Sequence, residues 1–141
     1  MNITIKLRAD HDSLLKLIAA FHDLIAQPVA PMGIDLLKFR HAFSKDFLAH
    51  LTREDWLLYP SLLQSSDPVI SSTAQAFIDE MGGQLEAFKS WSERWPVVKI
   101  GKDWVQFGKE TKDLLDALSK RIERENDHLY PLIEQNMSYA A

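Results

Sequence analysis

The sequence predicts an all-α protein folded as an antiparallel up-down-up-down four-helix bundle. Apolar residues recur at helical spacing along four long stretches. Gly and Pro gather at the breaks between those stretches, and few strand signals appear after the first six residues. The breaks are short, which favours antiparallel neighbours.

The first helix is expected from about Ala9 to Ala26, starting near Ala9 or Asp10 and ending before Gln27-Pro28-Val29-Ala30-Pro31. The second is expected from about Gly33 to Gln64. Ser65-Ser66-Asp67-Pro68 closes it and opens the third, with Asp67 as N-cap and Pro68 at the first helical position. The third runs to Trp95 and stops at Pro96. The fourth is expected from Gly101 to about Glu134.

A chain of 141 residues suits one domain, here 1–141, with one hydrophobic core. Apolar residues make up 46% and charged residues 26%, as in folded globular chains, so disorder is not expected. The absence of cysteine excludes disulfides, thiolate zinc sites and cysteine nucleophiles. Any metal must then use His, carboxylate or amide ligands. A net charge of −4 without a long basic run argues against a nucleic-acid partner. No apolar run approaches the roughly 18 residues needed to span a bilayer, and Met1 to Leu7 has no secretory character. A cytoplasmic, bacterial-type protein without membrane contact is the expectation.

The inward lanes follow from the spacing. Helix 1 presents Leu7, His11, Leu14, Ile18, Phe21 and Ile25. Helix 2 presents Leu36, Phe43, Phe47, His50, Glu54, Leu57 and Leu58. Helix 3 presents Ile70, Phe77, Met81, Gln84, Phe88, Trp91 and Trp95. Helix 4 presents Trp104, Phe107, Thr111, Leu114, Leu118, Arg121, Glu125, His128 and Leu132. Each lane turns polar at one level, at His11, His50, Glu54, Gln84, Arg121, Glu125 and His128. In the expected topology those levels coincide. Ionisable groups in a core are costly unless paired or bound to metal.

The chain also echoes itself. His50-Leu51-Thr52-Arg53-Glu54-Asp55-Trp56-Leu57-Leu58-Tyr59-Pro60 is similar to Arg121-Ile122-Glu123-Arg124-Glu125-Asn126-Asp127-His128-Leu129-Tyr130-Pro131. Two related helical hairpins are implied. The Tyr-Pro pairs mark equivalent bends, because proline removes a helical hydrogen bond.

His50-x-x-x-Glu54 puts an imidazole and a carboxylate one turn apart on one helical face, where both reach a single cation. Together with Leu7-Arg8-Ala9-Asp10-His11 and Arg124-Glu125-x-x-x-Leu129-Tyr130-Pro131, this stretch resembles the hemerythrin-like cation-binding family, in order and over nearly the whole chain. The resemblance implies a four-helix bundle around a non-haem di-iron centre, held by histidines from all four helices and two bridging carboxylates, that binds dioxygen or senses oxygen, iron or redox state. It implies His11, His50, Glu54 and Glu125 as metal ligands. Two positions depart from the family pattern. Arg121 stands where the echo of His50 calls for histidine, and helix 3 has only Gln84 in the middle of its lane.

Three readings follow. His11, His50 and the two glutamates form a metal site for oxygen, iron or redox sensing or carriage, with dioxygen or another small molecule as ligand. His128, at i+3 from Glu125, is a possible extra ligand. Alternatively, Arg121 forks to Glu54 and Glu125 in place of a cation, and the metal-free bundle serves as a regulatory module with a protein partner. A third reading is a small redox enzyme at a mononuclear iron. No nucleophilic triad, phosphate-binding glycine loop or HExxH motif appears, so no catalytic residue is assigned. His22 and His41 are expected at a boundary or the surface, and Trp91, Trp95, Trp104 and the phenylalanines in the core.

Overall fold

The structure, a computed structural model, describes residues 3–139. The first two and last two residues of the expected domain lie outside the described residues. The described chain is a helical bundle without strands.

Helix α1 spans Ile3–Ile25. It begins about two turns earlier than the periodicity predicts. Its first turn is docked on the last helix: Thr4 Oγ1 donates to Glu134 at 2.7 Å, and Arg8 holds both oxygens of Glu134 at 2.8–2.9 Å. Leu7 is fully buried there. Tertiary contacts thus supply what the sequence lacks in local start signals.

The second stretch consists of α2 (Gly33–Arg53), a π-helical turn over Glu54–Leu58, and α3 (Tyr59–Leu63). The fourth repeats this design, with α7 (Trp104–Arg124), a π-helical turn over Glu125–Leu129, and α8 (Tyr130–Tyr139). The Tyr59 amide donates to the Glu54 carbonyl and the Tyr130 amide to the Glu125 carbonyl, five residues back instead of four. Pro60 and Pro131 follow immediately and have no amide hydrogen to continue the regular ladder. The bends expected at the two Tyr-Pro pairs are therefore wide turns, each carrying one extra residue.

That extra residue changes which side chains point inward. Leu57, expected inside, is 67% exposed, and Leu58 and Tyr59 are buried instead. In the echo, His128 is exposed, while Leu129 and Tyr130 are fully buried.

The third stretch is split into α4 (Pro68–Met81) and α5 (Gln84–Arg94). Asp67 caps α4 as expected, its side chain accepting from the Val69 amide at 2.9 Å. Gly82 closes α4 so tightly that a Cβ there would lie 2.5 Å from the Ile78 carbonyl oxygen. The break shifts the buried positions, so Leu85, not Gln84, faces the core. A short α6 (Val97–Lys102) buries Ile100 before α7 begins at Trp104, which is half-buried.

Two apolar clusters fill the interior. One is aromatic-rich and contains Phe21, Phe43, Phe47, Phe88, Trp91, Trp95 and Phe107. Its rings meet mostly tilted or edge to face, as in Phe21 on Phe43 at 4.9 Å. The other contains Leu7, Leu58, Leu62, Ile70, Phe77, Leu129 and Ile133. The polar residues sit between the clusters along each helix. His11 lies between Leu7 and Leu14, His50 and Glu54 between Phe47 and Leu58, and Arg121 and Glu125 between Leu118 and Leu129. Apolar packing on both sides leaves these five side chains almost wholly buried. No described helix is long and apolar enough to cross a membrane.

Candidate metal centre

Each polar residue of the layer is held by an apolar lane that its helix must bury. His11 occupies the α1 lane between Leu7 and Leu14, and so cannot leave the interior without exposing them. His50 and Glu54 stand one turn apart at the end of α2, and Arg121 and Glu125 one turn apart at the end of α7. All five are 0–3% exposed.

His11, His50, Glu54 and Glu125 converge, with one donor atom of each lying within 4.8 Å of all the others. The two imidazole Nε2 atoms are 3.0 Å apart. His50 Nε2 is 3.0 Å from Glu54 Oε1, and His11 Nε2 is 3.2 Å from Glu125 Oε1. The outer ring nitrogens have oxygen partners. His11 Nδ1 donates to Asn126 Oδ1 at 2.7 Å and His50 Nδ1 to Asp10 Oδ2 at 3.3 Å. Neutral rings with those outer protons direct both Nε2 lone pairs inward. Glu125 Oε1 is buried there without a hydrogen bond. Four lone-pair atoms facing one another need a proton or a cation between them. This donor set fits one metal ion.

Arg121 occupies the other half of the layer. Its guanidinium reaches Glu54 Oε1 at 3.4 Å, Asp55 Oδ1 at 2.7 Å and Glu125 Oε2 at 3.3 Å. Glu54, Glu125 and Asp55 together carry three negative charges when ionised, and Arg121 returns one. The remainder equals the charge of one divalent cation. Asp10 is balanced separately, by Arg53 at 2.7 Å and Lys6 at 3.1 Å.

Burial opposes ionisation of both glutamates, with different results. For Glu54 the hydrogen bond and charge of His50, with Arg121, outweigh burial and hold the carboxyl at about 2. Glu125 is pushed up, first by burial and then by the nearby Glu54 charge. Burial disfavours the His50 cation, but its two glutamate neighbours outweigh that and raise it. Burial also pushes up the phenols of Tyr59 and Tyr130, reinforced by the same two carboxylates. Both phenols therefore remain protonated donors.

Sequence reasoning places His11, His50, Glu54, Arg121 and Glu125 in one layer, and there they stand. Gln84 and His128 do not join it. Gln84 turns aside to donate to the Ala117 carbonyl at 3.1 Å, and Met81 and Gly82 line the small cavity beside Arg121, Asp55 and Tyr59 instead. The offset that pairs His50 with Arg121 pairs His11 with Gly82, which lies in the turn between α4 and α5. His128 sits outside because the wide turn rotates it away. Of the other histidines, His22 is half-buried, 3.6 Å from Asp116, and His41 is exposed.

The missed residues are Asp10, Asp55, Tyr59, Asn126 and Tyr130, which touch the five core residues directly. The internal echo contained the signal, because Asp55 and Asn126 are equivalent, as are Tyr59 and Tyr130. A cleft between α1 and α2, lined by Lys6, Asp10, Ser13, Asp46, His50 and Arg53, leads from solvent to the back of His50.

The family model of the hemerythrin HHE cation binding domain matches residues 2–133. The chain belongs to this family. No curated protein and no solved structure matches it. Within this hemerythrin-family chain, the converging His/Glu group is the feature suited to a cation.

Proposed function

We propose that this hemerythrin-family protein is a single-domain, antiparallel up-down-up-down four-helix bundle that holds one non-haem iron ion. His11 and His50 are its nitrogen ligands, and Glu54 and Glu125 its carboxylate ligands. The observation that carries the reading is the buried meeting of four lone-pair donors, one of them Glu125 Oε1 without a hydrogen bond. The topology is supported by the order of the apolar clusters along the chain. The chain meets them in opposite order on successive long stretches.

Bound iron supplies redox chemistry and affinity for a small ligand such as dioxygen. The chain's residues do the rest. Asn126 and Asp10 fix the imidazole tautomers, Arg121 neutralises the carboxylate charge that one cation leaves over, and the apolar clusters exclude water. The role proposed for such a centre is oxygen, iron or redox sensing or carriage in the cytoplasm.

Anaerobic loading with Fe(II), desalting and elemental analysis test this. We expect one iron per chain in the wild type and none retained by Glu54→Ala. A metal content near zero in loaded wild type overturns the proposal. The contacts of Arg121 to three carboxylates would then favour a second reading. In it, Arg121 replaces the metal, and the bundle acts through its surface as a regulatory module for a protein partner.

A further inference from the structure

Each glutamate of the centre has one oxygen held by a tyrosine from the opposite half of the repeat. The Tyr59 hydroxyl donates to Glu125 Oε2 at 2.6 Å, and the Tyr130 hydroxyl donates to Glu54 Oε2 at the same distance. The other oxygens, Glu125 Oε1 and Glu54 Oε1, are the ones near the imidazole nitrogens, and Glu54 Oε1 also lies 3.4 Å from the Arg121 guanidinium. We propose that Tyr59 and Tyr130 are positioning residues, each locking one oxygen of a glutamate across the bundle so that the carboxylate offers a single oxygen to a cation.

The phenols are themselves fixed. Tyr130 stacks on His11 with ring centroids 5.1 Å apart, and the Arg8 guanidinium lies over the Tyr130 ring, 5.5 Å from its centre. The Arg121 guanidinium lies 5.5 Å from the Tyr59 ring centre. Both rings are at most 4% exposed, and each follows directly from a wide turn that begins at the glutamate of its own half. The turn thus rotates the tyrosine inward, where it reaches the glutamate of the other half. A hydrogen bond between a neutral phenol and a carboxylate is short and strong, and the burial of both groups limits competition from solvent.

The consequence is specific. With one oxygen held by a phenol, neither carboxylate is free to chelate a cation through both oxygens or to bridge two cations. The protein presents two nitrogens and two oxygens, and the tyrosines act as hydrogen-bond donors, not ligands. This inference rests on the metal-binding reading, and the experiment separates their failures.

The probe is Co(II) alone, whose visible absorption reports the number and kind of donors. Wild type, Tyr59→Phe and Tyr130→Phe are loaded and desalted, and folding is checked by circular dichroism. We expect one cobalt per chain in all three, with the visible bands of Tyr130→Phe shifted and changed in intensity as the freed Glu54 Oε2 joins the cation, and a smaller change in Tyr59→Phe, where Arg121 Nε still holds Glu125 Oε2 at 3.3 Å. Variant spectra superimposable on wild type overturn the inference while leaving the metal site intact. Wild type that retains no cobalt overturns the metal reading and this inference with it. A second measurement needs only wild type. Fe(III)-loaded protein is expected to show no visible phenolate-to-iron charge-transfer band. Such a band would make a tyrosine a ligand and overturn the inference even if both variants fail to fold.

Discussion

Arg121 is the residue on which the metal-free layer depends. It faces Glu54, Asp55 and Glu125 in a setting that is 2% exposed. Removing one partner from a buried charge network leaves the others uncompensated, at a cost of about 3–5 kcal/mol. Arg121→Met keeps much of the side-chain length and removes the charge. Urea denaturation without metal is expected to show a loss of about that size. A loss below about 1 kcal/mol, the scale of an exposed pair, would mean that the carboxylates simply take up protons. His11, His50, Glu54 and Glu125 were legible in the sequence because each interrupts an apolar lane at helical spacing. Asn126 and Asp10 were not, because each lies beside a lane and meets its histidine only across the bundle.

At the scale of the element, the paired wide turns decide what the layer contains. Helical periodicity treats every turn alike, so it places Leu57 and His128 inside. The turns at Glu54–Leu58 and Glu125–Leu129 insert one residue each and bring Tyr59 and Tyr130 inward. The proline after each tyrosine was a visible sign of an irregularity, but not of its width. The break in the third stretch is equally local. At Gly82 a Cβ would collide with the Ile78 carbonyl oxygen, a backbone atom that cannot rotate away. Gly82→Ala is expected to destabilise by about 1–3 kcal/mol, the usual cost of overpacking, read as a lower denaturation midpoint with an unchanged slope. An unchanged midpoint would mean that α4 relaxes at no cost.

At the scale of the whole molecule, the proposed cation site couples metal binding to protons. The centre must lose the His50 Nε2 proton and any proton on Glu125 before a cation enters. Both groups hold protons to higher pH than usual, His50 because two glutamates outweigh its burial, and Glu125 because of burial and Glu54. Retention of metal is therefore expected to weaken as pH falls, with protons released on loading, measured by desalting across a pH series and by pH-stat titration. Retention independent of pH across the mildly acidic range would contradict this charge balance. Glu54 has the opposite sign. Its depressed value means that its contribution to stability is present above its ordinary 4.5 and is lost as pH falls toward about 2. The cleft between α1 and α2 supplies an approach from solvent, and both Asp10 and His50 line it.

The sequence alone determined the helical class, the main breaks, the Asp67 cap and the level at which the core turns polar. These follow from local spacing, from turn residues and from the cost of burying charge, all of which are written along one chain. Only the tertiary structure decided where α1 starts, which face follows each wide turn, and which partners hold the imidazoles and carboxylates. Those outcomes depend on atoms far apart in the chain, such as Glu134 on Thr4 and Arg8, Tyr130 on Glu54 and Asn126 on His11. Their energies arise only once the helices are packed, because short hydrogen bonds between buried groups gain their strength from the exclusion of water.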